Sequence, residues 1–218
     1  MKKLYSSTTL YFFLVMTACT STESNYQITN LAEAKKAVQD YYESGKYDRE
    51  CSKIINDAIE RLNKVMVSDK SAVVFDVDET ALSNYEQTKS IGFGYIYKLW
   101  YDFIQEGKAP AIKETKRFYN YLVSRKIHVI FLTGRFQEMY ESTKRNLVEQ
   151  GYTKFDTLII RSNDERKVSA AEFKSRKREE LIRKGYDIIA CIGDQWSDLS
   201  GCNTGYKIKL PNYLYSID

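Results

Sequence analysis

The sequence predicts an α/β fold, a parallel sheet layered between helices and preceded by two further helices. Three observations predict it. Short β-branched runs alternate with amphipathic stretches long enough to be helices, the pattern of right-handed β-α-β crossovers. Several of those runs end in acids, hydroxyls and glycines, as expected where a parallel sheet gathers a ligand site at the carboxyl ends of its strands. The 218 residues, 43% of them hydrophobic, suffice to bury the core of one domain.

Each element has its own signal. Residues 30–42 read as a helix with Asn30 as N-cap. A second helix follows over 48–66, with Ile54, Ile55, Ala58, Ile59, Leu62, Val65 and Met66 at helical spacing on one buried face. AVVFDV (72–77) is a first buried strand. Residues 83–107 are mixed and very aromatic. A helix over 112–125 leads to IHVIFL (127–132), the second strand. A helix over 137–150 ends at Gly151, and TLII (157–160) is the third strand. A charged helix over 170–184 ends at Gly185. IIACI (188–192) and YKIKL (206–210) complete five strands.

Composition removes several classes of function. A net charge of +4 with scattered basic residues is not the footprint of a nucleic-acid-binding protein. The single histidine, His128, lies inside a strand-like run. That argues against histidine-nucleophile phosphatases, Ser–His–Asp hydrolases and metal centres built from several histidines. Cys51, Cys191 and Cys202 form no CxxC pair or ligand cluster. Cys191 reads as a buried thiol, and a Cys191–Cys202 or Cys51–Cys202 disulfide stays open.

The strand ends carry the chemistry. The first ends in FDVDET, which sends Asp76 and Asp78 the same way, beside Thr80. Two carboxylates so close need a cation or a shared proton. The second ends in Thr133-Gly134-Arg135 and the fourth in GDQWSDL, adding Asp194 and Asp198. The charged helix offers Lys174, with Lys177 one turn away on nearly the same face. Asp198 also suits the N-cap of a short helix, and Arg135 reads as a structural salt-bridge partner.

FDVDET, FLTGR, the helix lysine and GDQWSDL, in this order, resemble the four motifs of the haloacid dehalogenase (HAD) superfamily. FKSRKREEL with GDQWSDL is similar, more narrowly, to its acid phosphatase branch, subfamily IIIB. That branch includes bacterial lipoprotein acid phosphatases and plant vegetative storage proteins. The resemblance spans about residues 71–210. It implies a HAD-like Rossmannoid three-layer fold in a domain over 30–218, with a small helical cap at about 83–110. It also implies an Mg²⁺-dependent acid phosphatase acting on small phosphomonoesters, nucleotides among them. By the same resemblance Asp76 is the nucleophile and Asp78 the general acid/base. Thr133, Gly134 and Lys174 bind phosphate, and Asp76, Asp78 (through its carbonyl) and Asp194 hold the metal, with Asp198 as the companion of motif four. Such a set fits phosphoryl transfer, which rests on positioning and charge stabilisation. Phosphotransfer to an alcohol and a non-catalytic binding or storage protein are the alternatives.

In the aromatic stretch, Tyr95 and Trp100 are the candidate substrate contacts, since aromatics stack flat leaving groups. The N-terminus reads as a signal over 1–18: Lys2 and Lys3, then a short apolar run from Leu10 to Met16, then Thr17 and Ala18. Cys19 follows as in a bacterial lipobox, with 19–29 as a polar tether. This resemblance implies a lipid anchor on Cys19, hence a membrane surface as partner and the bacterial cell envelope, at its outer membrane, as location. Nothing in the sequence fixes the oligomeric state.

Overall fold

The structure, a computed structural model, describes residues 28–217. Eight α-helices and five strands follow in the order α1 Leu31–Glu43, α2 Lys46–Asn63, β1 Ser71–Phe75, α3 Tyr85–Ser90, α4 Tyr97–Glu106, α5 Lys113–Ser124, β2 His128–Phe136, α6 Tyr140–Glu149, β3 Thr157–Arg161, α7 Ala170–Arg183, β4 Asp187–Gly193, α8 Trp196–Leu199 and β5 Tyr206–Lys209. The five strands form one parallel sheet in the order β3-β2-β1-β4-β5. The chain therefore starts in the middle of the sheet, builds outward to one side, and returns to build the other. The crevice where the direction changes lies at the carboxyl end of β1, between β2 and β4.

Alternation along β1 sets the layers. Val73 and Phe75 face a core with Phe118 and Leu122 of α5, Ile55 and Leu62 of α2, and Phe131 of β2. Ala72 and Val74 face the opposite core, with Phe173 and Leu181 of α7 and Leu199 of α8. With both faces covered, every residue of β1 is buried, which accounts for its uninterrupted apolar run.

Local signals explain the helix starts. Asn30 accepts the Ala32 N–H at 2.9 Å, and Ser169 accepts from Glu172 N at the start of α7, each satisfying a donor that the helix leaves free. One expectation fails. Met66 is 94% exposed, because α2 ends at Asn63 and the apolar stripe stops with Leu62. Tyr47 and Cys51 complete that buried face instead. All three described cysteines are free thiols, Cys51 and Cys191 buried and Cys202 exposed, so neither disulfide is formed. His128 is half-buried, held by Asp156 at 2.6 Å and the Asp69 carbonyl at 2.9 Å.

Cys19 and the segment around it lie outside the described residues. Among the described residues no helix is long and apolar enough to cross a membrane.

Candidate active site

The carboxyl ends of β1, β2 and β4 open into one cavity of about 620 Å³. Its walls include Asp76, Asp78, Gly134, Arg135, Lys174, Asp194 and Asp198, together with Phe93, Tyr95 and Trp100 from the aromatic stretch. The C-terminal segment closes one side with Leu214, Tyr215 and Ile217.

The centre is a charge cluster. Lys174 reaches from α7 to bridge Asp76 Oδ1 at 2.6 Å and Asp198 Oδ1 at 2.5 Å, all three groups being buried. Of the two lysines of α7, Lys174 is the one at the cluster, while Lys177 turns to Glu165 and Glu180. Asp198 does two jobs. One oxygen takes Lys174, and the other accepts the Gln195 N–H at 2.8 Å, closing a capping box at the start of α8. Gly193 is required here, since a Cβ at that position would collide with the Asp198 carboxylate.

Asp194 is held at both oxygens. Gln195 Nε2 and Asn212 Nδ2 donate to Oδ2, each at 2.6 Å. Oδ1 accepts the Thr80 hydroxyl at 3.2 Å. The far end of the Gln195 side chain accepts from Ile217 N at 3.0 Å, tying the C-terminal segment to the cluster.

Asp78 points elsewhere. Arg135, only 2% exposed, forks onto it, with Nε to Oδ2 at 3.0 Å and Nη2 to Oδ1 at 2.8 Å. Asn84 Nδ2 adds a third donor at 2.6 Å. Arg135 also donates to Thr143, which fixes the fork. Arg135 reaches this place because β2 breaks step with β3: pairing runs to Leu132↔Ile159 and resumes at Phe136↔Arg161. The extra residues on β2 throw Thr133-Gly134-Arg135 out towards the cavity. Gly134 and Arg135 line it, but Thr133 does not. Its side chain is buried and its hydroxyl accepts the Arg135 N–H at 3.2 Å, a local turn bond that leaves the hydroxyl hydrogen free to be donated.

The electrostatics follow from burial and pairing. Burial pushes Asp76 well above its ordinary range against the pull of Lys174, and the other three aspartates add to the rise. Asp194 is raised to about 6 by burial and by Asp198, against its amide donors. Burial also acts to raise Asp78, but Arg135 and Asn84 outweigh it and hold its carboxyl below the ordinary value. Burial opposes the charge of Lys174, yet Asp198 and Asp76 more than offset it and its pKa rises.

Asp76, Asp194 and Asp198 bring carboxylate oxygens within 4.8 Å of one another. They face one cation, Lys174, so the cluster is short of positive charge. An all-oxygen donor set of this kind suits a hard divalent ion, and the neighbouring carboxylates add to the rise that burial already imposes on Asp76 and Asp194.

Sequence reasoning missed four contributors. Asn212 and Asn84 carried no motif. Gln195 lies inside GDQWSDL but had no assigned role. Glu79 adopts a left-handed φ of 52° in the turn after β1, where the Val77 carbonyl accepts from Thr80, Ala81 and Leu82. Its buried carboxyl accepts the Asn84 N–H at 2.5 Å and so places the residue that contacts Asp78.

A parallel sheet whose switch point gathers four aspartates and a buried lysine defines a HAD-type hydrolase. Among solved structures, the class C acid phosphatase from Bacillus anthracis shares this fold with a TM-score of 0.70 at 23% identity, over 85% of this chain and 86% of that one. The family model described as HAD superfamily, subfamily IIIB (acid phosphatase) matches residues 2–218, and the chain belongs to this family. Stem 28 kDa glycoprotein of Glycine max is 36% identical over 191 residues, 85% of this chain and 75% of that protein. Acid phosphatase 1 of Solanum lycopersicum is 31% identical over 191 residues, with the same coverage. The chain is thus a phosphomonoesterase of the acid phosphatase type. The Glycine max and Solanum lycopersicum relatives are plant proteins, as is the similar vegetative storage protein 1 of Arabidopsis thaliana, and none of the three is a bacterial lipoprotein. They overturn the expected location at a bacterial outer membrane.

Proposed function

We propose that the chain hydrolyses small phosphomonoesters through a phospho-aspartate on Asp76. The observation that carries this reading is the Asp76–Lys174–Asp198 bridge beside Asp194 at the switch point of the sheet. Asp76 attacks phosphorus in line and the ester oxygen leaves with a proton from Asp78. Water then attacks the phosphorus of the phospho-aspartate, giving its proton to Asp78 and releasing phosphate and free Asp76. The fork of Arg135 and Asn84 keeps Asp78 ionised, the form needed for this second half. For the first half Asp78 has to take up a proton and leave part of that fork.

Asp76, Asp194 and the carbonyl of Asp78 would hold Mg²⁺. When bound, the ion offsets the negative charge that otherwise keeps carboxylate and phosphate apart. Lys174 and the Gly134 amide hold phosphoryl oxygens as charge shifts onto them. Thr133 joins them by turning its hydroxyl hydrogen to the phosphate, since in accepting the Arg135 N–H it uses only a lone pair. Residues 83–110 act as a small cap, whose Phe93, Tyr95 and Trp100 favour leaving groups with a flat ring, aryl or nucleobase.

The test is turnover of p-nitrophenyl phosphate with Mg²⁺, with EDTA, and in Asp76→Asn. Metal-dependent turnover that disappears in the variant supports the mechanism. No turnover with any divalent ion from acid to neutral pH overturns it and favours a storage role, to which the names of the plant relatives point. The four intact aspartates argue for turnover.

A further inference from the structure

The cations on the cavity wall divide into two kinds. Lys174 and Arg135 each bind carboxylates. Arg161, at the end of β3, lines the same cavity and makes no salt bridge among the described residues. It is 7% exposed. Its Nη1 donates to the Val168 carbonyl at 2.7 Å, while its Nε is buried with no partner. The guanidinium lies over Phe173 at 4.9 Å and beside Phe136 at 5.9 Å from the ring centroids. Of the two acids that follow it in sequence, Asp164 is exposed, and Glu165, whose charge favours the guanidinium from a distance, is engaged by Lys177 at 3.1 Å.

A guanidinium presents five N–H donors, and burying one without an anion costs free energy that two aromatic faces offset only in part. A purely structural filler of this place could be apolar. The wall beside it reinforces the positive potential. Ala170, the first residue of the 14-residue α7, also lines the cavity and brings the positive end of that helix to it. The catalytic cluster, by contrast, is rich in negative charge. The cavity therefore carries, besides its acids and metal-type donor set, a cation that no acid bridges among the described residues.

We infer that Arg161 receives a second anionic group on the substrate, so that the preferred phosphomonoesters carry a carboxylate or a further phosphate away from the scissile bond. This rests on the phosphatase reading above and names the substrate class for the same site. Arg161 is a specificity residue, not a participant in bond breaking. The second anion completes the donor set of the guanidinium and is desolvated against Phe136 and Phe173, where a charge-assisted pair gains strength.

The experiment compares ω-carboxyalkyl phosphates of two to six carbons with ω-hydroxyalkyl phosphates of equal length, on the wild-type protein, Arg161→Gln and Arg161→Lys. The readout is the ratio of kcat/KM for each matched pair, so any general loss of activity or folding in a variant cancels. At one chain length the wild-type ratio is expected to be about tenfold or more, the scale of one charge-assisted contact. It should fall to about 1 in Arg161→Gln and recover in part in Arg161→Lys, which keeps charge without the fork. A wild-type ratio near 1 at every length, or a preference that survives in Arg161→Gln, overturns the inference. Turnover of p-nitrophenyl phosphate, measured alongside, separates this outcome from failure of the phosphatase reading, in which no substrate turns over.

Discussion

Lys174 is a charge in the interior whose partners are both acids of the site, so stability and turnover depend on the same atom. Lys174→Met leaves Asp76 and Asp198 buried without their cation. The expected cost is about 3–5 kcal/mol in urea unfolding, the usual penalty for removing half of a buried pair, with loss of turnover. Lys177→Met leaves Glu165 held by its Ser162 hydrogen bonds and should cost less than Lys174→Met, with turnover kept. Equal effects of the two substitutions would refute the assignment of Lys174. Arg135 gives a second prediction at this scale. Arg135→Lys keeps a charge but cannot fork onto Asp78 while reaching Thr143, and kcat is expected to fall about tenfold or more. A kcat within twofold of wild type would show that the fork does not position Asp78. Most of the charged centre was legible, because Asp76, Asp194, Asp198 and Lys174 each stand at a strand end or on a helix next to one. Asn84, Asn212 and Glu79 were not, since each acts across a turn or from a distant segment that only the folded chain brings near.

At the scale of elements, the turn from β4 into α8 joins backbone geometry to chemistry. Asp198 folds back over Gly193, reaches Lys174 and caps its own helix. Gly193→Ala therefore has to displace a carboxylate or bend the strand end. The expected loss is about 1–3 kcal/mol, the range for overpacking a tight site, together with most of the turnover. A variant with unchanged unfolding and activity would show that the contact is readily relieved. The strands and helices themselves follow the periodicity of the sequence to within a residue or two at most ends. The break in the β2–β3 pairing does not, because a bulge shows no period of its own. It decides how Thr133, Gly134 and Arg135 are presented at the cavity, with Gly134 and Arg135 on its wall. α2 shows another limit of periodicity: an apolar residue at helical spacing, Met66, lies beyond the point where the helix stops.

Across the whole molecule, the two leading helices are fastened to the aromatic stretch by Glu43. It accepts from Lys89 at 2.5 Å and from the Tyr85 hydroxyl at 2.9 Å. Hydrogen bonds from Lys89, Gln39 and Tyr85 lower its pKa from the ordinary 4.5 to about 2. A carboxyl depressed by folding contributes stability that is fully present above its unfolded value and is lost as pH falls through the folded one. The urea midpoint of the wild type should exceed that of Glu43→Gln above about pH 5, and the two should converge as pH falls from 4.5 towards 2. A gap that persists at the lowest pH would assign the difference to packing.

The order of the strands has a consequence for biosynthesis. β1 sits in the middle of the sheet, but its partner β4 begins at Asp187, more than a hundred residues later. Ribosomes add about 5–20 residues each second, so for some seconds a nascent chain carries β1 with one edge unpaired and an apolar face uncovered. Contacts of such long sequence separation also form slowly. Until β4 emerges, the chain holds Asp76 without Asp194, and its open strand edge can pair with another unfinished copy. Chains released early should therefore be both inactive and prone to aggregate, and recovery of activity should track holdase chaperones more closely than the rate of transcription.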